Sequence, residues 1–242
     1  MRTRTNEQSI KNQLRAQLSR VAASADRTEN PYPQHMVVAV QSLSADVSAL
    51  AALRASKDPS HTDDQHVILT HKQADRIREQ LTAKTIAVMK AHQQGAADLA
   101  SQIREACNLK PNTRYEAHVL SKFQSLKTHA EQSEYLLALA NEGRTQALAS
   151  LIDAGFEVTG WSPAQMGVYR DIVVSKLAPD LLNQQDILAE AFAGANAVLT
   201  NASNLVNEQA DPLEIRDIER RADAARKARE GVNGASLGAE AS

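Results

Sequence analysis

"DAGFEVTGWSPAQM", residues 153–166, is the stretch on which the reading of this chain turns. From Gly155 to Ser162 it fits G-x-x-x-x-G-x-[ST], a phosphate-cradling loop, except that Trp161 stands where lysine is required. Such a loop needs a buried strand before its first glycine and a lysine that reaches the outer phosphates. The preceding "TQALASLIDA" (145–154) is helical in spacing and composition, and tryptophan supplies no charge. Another reading accounts for every residue. Ser162 is a helix N-cap, Pro163 takes the first helical position, and Gln165 closes a capping box. Trp161 and Met166 then occupy the two positions of a hydrophobic staple, and the cap alone contributes about 1 kcal/mol. The stretch is a helix–loop–helix joint, not a nucleotide site.

The rest of the chain agrees with a helical reading. Only 3% of the 242 residues are aromatic, and there are 9 glycines. Strand-favouring residues and positive-φ turns are therefore scarce. Ala, Leu, Gln, Glu, Arg and Lys, all strong helix formers, fill the sequence. Capping-box pairs recur at Thr70/Gln73, Thr113/Glu116, Thr128/Glu131 and Asp211/Glu214. The spacing predicts helices over about 6–25, 34–55, 70–109, 114–126, 129–142, 144–154, 163–177 and 180–209, then a charged helix from 212. The prolines of "DRTENPYPQ" break the chain near 31–33, and Gly143 and Gly155 act as C-terminal stops. In 70–109 the stripe Ile77, Leu81, Val88, Leu99, Ile103 keeps its phase through Gly95, the one place where that helix would divide. The tetrapeptide "HVIL" at 66–69 decides nothing, and "GVNGASLGAEAS" (231–242) reads as a disordered tail.

The fold expected is all-α, an elongated multi-helix bundle with several long helices and no substantial sheet. Its segments are a basic amphipathic N-terminal helix or arm (1–30), a long-helix hairpin region (31–110), a helical bundle (111–210), and a charged C-terminal helix with its tail (211–242). Two stripes have coiled-coil spacing. One is Met36, Val40, Leu43, Val47, Leu50; the other is Leu188, Ala191, Ala195, Val198, Ala202, Leu205. Alanine at half of the second stripe allows a close helix approach. Both are read as helix-association seams.

The formal net charge of −2 exerts no overall pull on nucleic acid or anionic lipid. Residues 1–20 are locally basic, however, with Arg2, Arg4, Lys11, Arg15 and Arg20 against Glu7. Those five cations are the candidate phosphate contacts of a nucleic-acid-binding arm. The competing reading is a docking helix with a solvated cationic face, since no aromatic residue is interleaved for base stacking. The N-terminus lacks the apolar core of a secretory signal, although its Arg-rich, acid-poor character overlaps with transit peptides. The most apolar stretch noted, "ILAEAFAGANAVLTNASNLV" (187–206), carries Glu190 and three asparagines and reads as no membrane span. A cytoplasmic or virion location follows.

Chemistry-bearing motifs are sparse. "HTDDQH" brings together His61, Asp63, Asp64 and His66, with His71 beyond, but their spacing does not place them on one helical face. His71 and Asp75 are spaced to pair on a helix surface. The single Cys107 excludes an internal disulfide and lies at no helical spacing from His92 or His118, so it reads as a buried small residue. No catalytic residue, cofactor site or metal site is assigned, and no small-molecule substrate is evident. A helical metal-dependent enzyme stays the least favoured class.

Residues 118–160, "HVLSKFQSLKTHAEQSEYLLALANEGRTQALASLIDAGFEVTG", form an apolar helix, a polar helix start, a "LLALANEG" helix end and an "ALASLIDAG" turn. This order resembles helical proteins of the head and virion-assembly genes of tailed bacteriophages. The resemblance covers less than a fifth of the chain and carries no active-site residues. It implies partners that are other copies or other virion proteins, and a non-enzymatic structural role through helix–helix association. The alternative is a nucleic-acid-associated protein working through its basic N-terminal helix.

Overall fold

The computed structural model describes residues 5–239, with the side chains of 113–115 and 230–239 excepted. Among the described residues the protein is all-α. Its ten helices are α1 (Glu7–Ala25), α2 (Pro31–Val40), α3 (Leu43–Ala55), α4 (Asp63–Ala106), α5 (Thr113–Gln124), α6 (His129–Asn141), α7 (Thr145–Thr159), α8 (Pro163–Leu177), α9 (Pro179–Gln209) and α10 (Pro212–Ala239). The chain divides into two compact units that do not follow the segments expected from sequence. Unit 1 comprises Met1–Ala23, Gln34–Met89 and Ala191–Ser242; unit 2 comprises Ser24–Pro33 and Lys90–Glu190. The expected boundaries near 30, 110 and 210 fall elsewhere because the two longest helices, α4 and α9, each contribute to both units.

In unit 1, α1 lies antiparallel to the second half of α9. Val21 faces Gly194, Gln17 bonds Asn201 at 3.1 Å, and the Thr5 carbonyl accepts from Gln209 at 2.9 Å. A Cβ on Gly194 would stand 2.9 Å from Val21 Cγ2, so glycine is what lets these two helices approach. The core gathers Ile10, Leu14, Val40, Leu50, Ile77 and Val198, all 0–1% exposed. The helix expected over 34–55 is two helices separated at Gln41–Ser42. The Ser42 carbonyl accepts from both Ala45 and Asp46 while its hydroxyl donates to Asp46 at 2.8 Å, which tightens the turn where α3 begins. Pro31 and Pro33 sit in the first turn of α2, where no amide is needed, so they start a helix instead of ending one.

The segment Pro31–Ala55, with a mean hydropathy of 1.6, is long and apolar enough to cross a membrane by composition. It is more apolar in this respect than the 187–206 stretch singled out from sequence. It is divided into helices of 10 and 13 residues, and one face of it, Met36, Val40, Leu43, Val47 and Leu50, is buried at 0% exposure.

α4 is one unbroken helix of 44 residues, and it begins at Asp63, not Thr70. Its capping box is Thr62 with Gln65, each side chain meeting the other's backbone N–H at 3.2 and 2.8 Å. Thr70 is buried in mid-helix and donates to the His66 carbonyl at 2.9 Å, and "HVIL" is helical. Asn108, at φ +50, supplies the left-handed stop, with Leu109 N–H returning to the Arg104 carbonyl at 2.9 Å.

In unit 2, α5 packs on α7 and α6 on α8. Phe123, Leu136, Leu139, Leu148, Val173 and Val174 form the middle of its core. Gly95 of α4 lies against Tyr32 and Leu188, both 3.0 Å from where a Cβ would be, so the stripe passes through it without a break. The expected boxes at Thr128/Glu131 and Ser162/Gln165 are both closed. The box expected at Asp211/Glu214 is half made: Asp211 accepts from Leu213 at 3.0 Å, but Glu214 turns to Arg54. The Thr113 side chain lies outside the described residues. α10 continues to Ala239, so most of the stretch expected to be a disordered tail is helical.

Candidate functional site

Both sequence-predicted seams are closed within the chain. Met36, Val40, Leu43, Val47, Leu50, Ala191, Ala195, Val198 and Ala202 are 0% exposed, Leu188 is 1% and Leu205 is 5%. Their periodicity reports burial against the protein's own helices, so they offer no face to a second chain. The cationic helix is likewise docked. Ile10 and Leu14 of α1 are wholly buried, Lys11 is half-buried, and Arg15 and Arg20 face outward. Arg2 and Arg4 lie outside the described residues.

The histidine-rich loop disperses its ligand-type side chains among separate partners. Asp63 pairs with Lys57 at 2.5 Å and Asp64 with Arg221 at 2.8 Å, while His66 Nε2 lies 3.2 Å from the Arg54 carbonyl. Among the described residues no group of three or more His, Cys, Asp or Glu side chains is placed to hold a metal. Cys107 is buried, and burial raises its thiol above the ordinary value, the opposite of what a nucleophile needs.

The pairing expected of His71 with Asp75 is replaced by a longer-range one. Asp75 pairs with Arg78 at 2.7 Å, and His71 Nε2 stands 3.6 Å from Glu214 of α10. Arg54 holds the other oxygen of Glu214 at 2.8 Å. Desolvation lowers the His71 pKa, and the Glu214 carboxylate opposes that shift without overcoming it. The resulting Arg54–Glu214–His71 cluster ties the first turn of α10 to α3 and α4. Sequence reasoning missed it because the three residues are far apart in the chain. The available signal was a glutamate in the first turn of a charged helix.

A second arrangement lies at the joint that opened the sequence. Gly155 (φ +73, ψ 179) kinks α7, so the helix expected to stop there runs on to Thr159, and Gly160 (φ +72, ψ 6) caps it in the left-handed conformation and lets the chain double back. Trp161 enters the core at 8% exposure, its indole N–H donating to Gln132 at 2.9 Å and its ring meeting Tyr169 edge-on at 5.8 Å. Between this joint and α8 lies a pocket of about 220 Å³, walled by Ile152, Phe156, Trp161, Pro163, Met166 and Gly167, with Arg170 at one side. A neighbouring cavity of about 340 Å³ shares Ile152 and Arg170 and adds Arg104, Lys110 and Asp153. Phe156, at the pocket, is 61% exposed.

These walls can bind an apolar group and orient an anionic one. They present no nucleophile beside a base. No known protein family, characterised protein or solved structure matches the chain.

Proposed function

We propose that the protein is a non-enzymatic structural or assembly protein that associates through helix–helix contact, with α10 as the associating element in place of the two buried seams. The observation that carries this reading is the exposure of α10. Every residue from Glu219 to Arg229 is exposed although the backbone is helical throughout. Beyond its first turn, tied by Glu214 to Arg54, and the Arg221–Asp64 pair, this charged helix gains little from tertiary burial and is marginal by itself. It is the form expected of an element that a partner helix covers. Ile215, Ile218, Ala222 and Ala225 follow one another at three- and four-residue steps, the spacing of a helix-pairing stripe. Acid–base pairs three apart, Arg220 with Asp217 at 3.1 Å and Arg226 with Asp223 at 3.3 Å, hold the flanks in helical register. The likeness of residues 118–160 to virion-assembly proteins supports placing this association in a phage particle or its morphogenesis.

Light scattering across a concentration series tests the reading. The wild-type mass should rise with concentration, and Ala222→Glu with Ala225→Glu, which places carboxylates in the stripe, should hold the protein at monomer mass. A constant monomer mass for the wild type would overturn it.

A further inference from the structure

We propose that the pocket between the 155–160 joint and α8 docks an acidic, apolar segment of another protein, with one large apolar side chain filling it and a neighbouring carboxylate meeting Arg170, Arg104 and Lys110. This surface is in unit 2 and stands apart from the reading of α10. The pocket volume of about 220 Å³ falls below the roughly 300–1,000 Å³ of small-molecule sites and suits a single inserted side chain. Its rim carries a large apolar side chain that touches water: Phe156 is 61% exposed.

Gly167 supplies an independent argument. Gly95, Gly167 and Gly194 all sit inside helices, where glycine costs about 1 kcal/mol relative to alanine. The first and third repay that cost, since a Cβ on either would stand 3.0 or 2.9 Å from a neighbour. A Cβ on Gly167 would meet nothing within 4 Å, and its backbone is ordinary. The fold has no use for a glycine there. It does keep one wall of the pocket clear.

Charge selects the occupant. The cavity beside the pocket is lined by Arg104, Lys110 and Arg170 against Asp153. Arg170 is held from behind, its Nε 3.4 Å from the Asp171 carboxylate and its Nη2 donating to Gln185 at 3.4 Å, which fixes its guanidinium at the side of the pocket. A phosphate polymer would leave the apolar rim uncovered, whereas an acidic, apolar segment satisfies both parts. Two exposed leucines of this chain that stand near acidic residues match less well. Leu137, beside Glu134, is only 42% exposed and so is too embedded in its own unit to enter a pocket. Leu213 is 61% exposed, but its acidic flanks are already engaged, Asp211 by the Leu213 N–H at 3.0 Å and Glu214 by Arg54 at 2.8 Å.

Trp161, the single tryptophan of the chain, lines the pocket and reports occupancy directly. The full-length protein is titrated with a synthetic peptide bearing leucine flanked by glutamates, and with a second peptide bearing lysines in their place. Saturable change in Trp161 emission is expected with the acidic peptide, and affinity about tenfold weaker with the lysine peptide. Gly167→Leu, which fills the pocket, and Phe156→Ser, which removes the exposed rim, should each weaken the acidic peptide about tenfold. Helical circular dichroism confirms that each variant is folded, and Phe156→Ser, at an exposed position, decides the matter if Gly167→Leu fails to fold. Absence of saturable change, equal affinity for the two peptides, or folded variants that bind like wild type would overturn the proposal. So would a fall in the mass of peptide-free protein on Gly167→Leu, which would make a second copy the occupant.

Discussion

Replacing each helical glycine in turn by alanine should give effects of opposite sign, because the same added methyl meets different surroundings. At Gly167 it meets open space, so only the helix propensity gain of about 1 kcal/mol remains, and unit 2 becomes more stable. At Gly194 the methyl arrives 2.9 Å from Val21 Cγ2, nearer than real Cβ contacts come, so α1 or Val21 must move. Val21 is β-branched and stiff at χ1, and its Cβ and Cα lie 3.8 and 3.9 Å away, so rotation brings little relief. Overpacking of this kind costs typically about 1–3 kcal/mol. Set against the propensity gain, the net change at Gly194 is a loss of about 0–2 kcal/mol. Urea unfolding followed by circular dichroism gives both values, and Trp161 emission isolates the unit containing Gly167. The reasoning fails if Gly167→Ala is neutral or destabilising, or if Gly194→Ala stabilises as much as Gly167→Ala does.

His71 should make unit 1 sensitive to acid. Its folded pKa lies below 6.5, chiefly from desolvation and partly from Arg78, with Glu214 and Asp75 opposing, while Arg54 lies across Glu214 from it. The fold therefore favours the neutral ring. Its stabilising contribution is complete above pH 6.5 and is lost as pH falls from 6.5 toward the folded value; urea midpoints between pH 7.5 and 5 should show the fall, and His71→Gln should flatten it. Thr62→Ala removes the cap that begins α4 and should cost about 1 kcal/mol in urea titration, whereas Thr70→Ala should not shift the start of α4 in amide exchange. Ala195→Leu forces a larger side chain into a fully buried helix contact and should cost about 1–3 kcal/mol, with no change in mass by light scattering because the seam is internal.

The helices were legible in the sequence where local chemistry alone defines them. The joint at 153–166 is the clearest instance. Ser162, Pro163 and Gln165 act within one turn of each other, and the structure closes that box with Gln165 N–H donating to Ser162 at 3.3 Å. Thr70 misled because a capping motif is also a common mid-helix sequence, and its hydroxyl serves the His66 carbonyl equally well. The true start, at Thr62, was hidden by the polar, proline-bearing loop beside it. Asn108 shows the same limit at the other end: a left-handed asparagine stops α4, where the spacing carries the helix to about 109.

Periodicity had a different limit, and the candidate site turns on it. A stripe at three- and four-residue steps states that something covers it, not whose helix does so. Ala191, Ala195, Val198 and Ala202 and the stripe of Ile215, Ile218, Ala222 and Ala225 both alternate steps of three and four residues. The first is wholly buried in its own unit, whereas Ala222 and Ala225 are exposed. Exposure separates them, and exposure depends on residues distant in the chain, such as Val21 against Gly194. The pocket was still less legible, since Ile152, Trp161 and Arg170 acquire a common wall only when α7 and α8 fold back on each other. The nearest sequence signal was Gly167, a glycine inside a helix with no turn to make. Such a residue becomes informative only once its neighbours are known, because the same letter at Gly95 marks close packing and at Gly167 marks space.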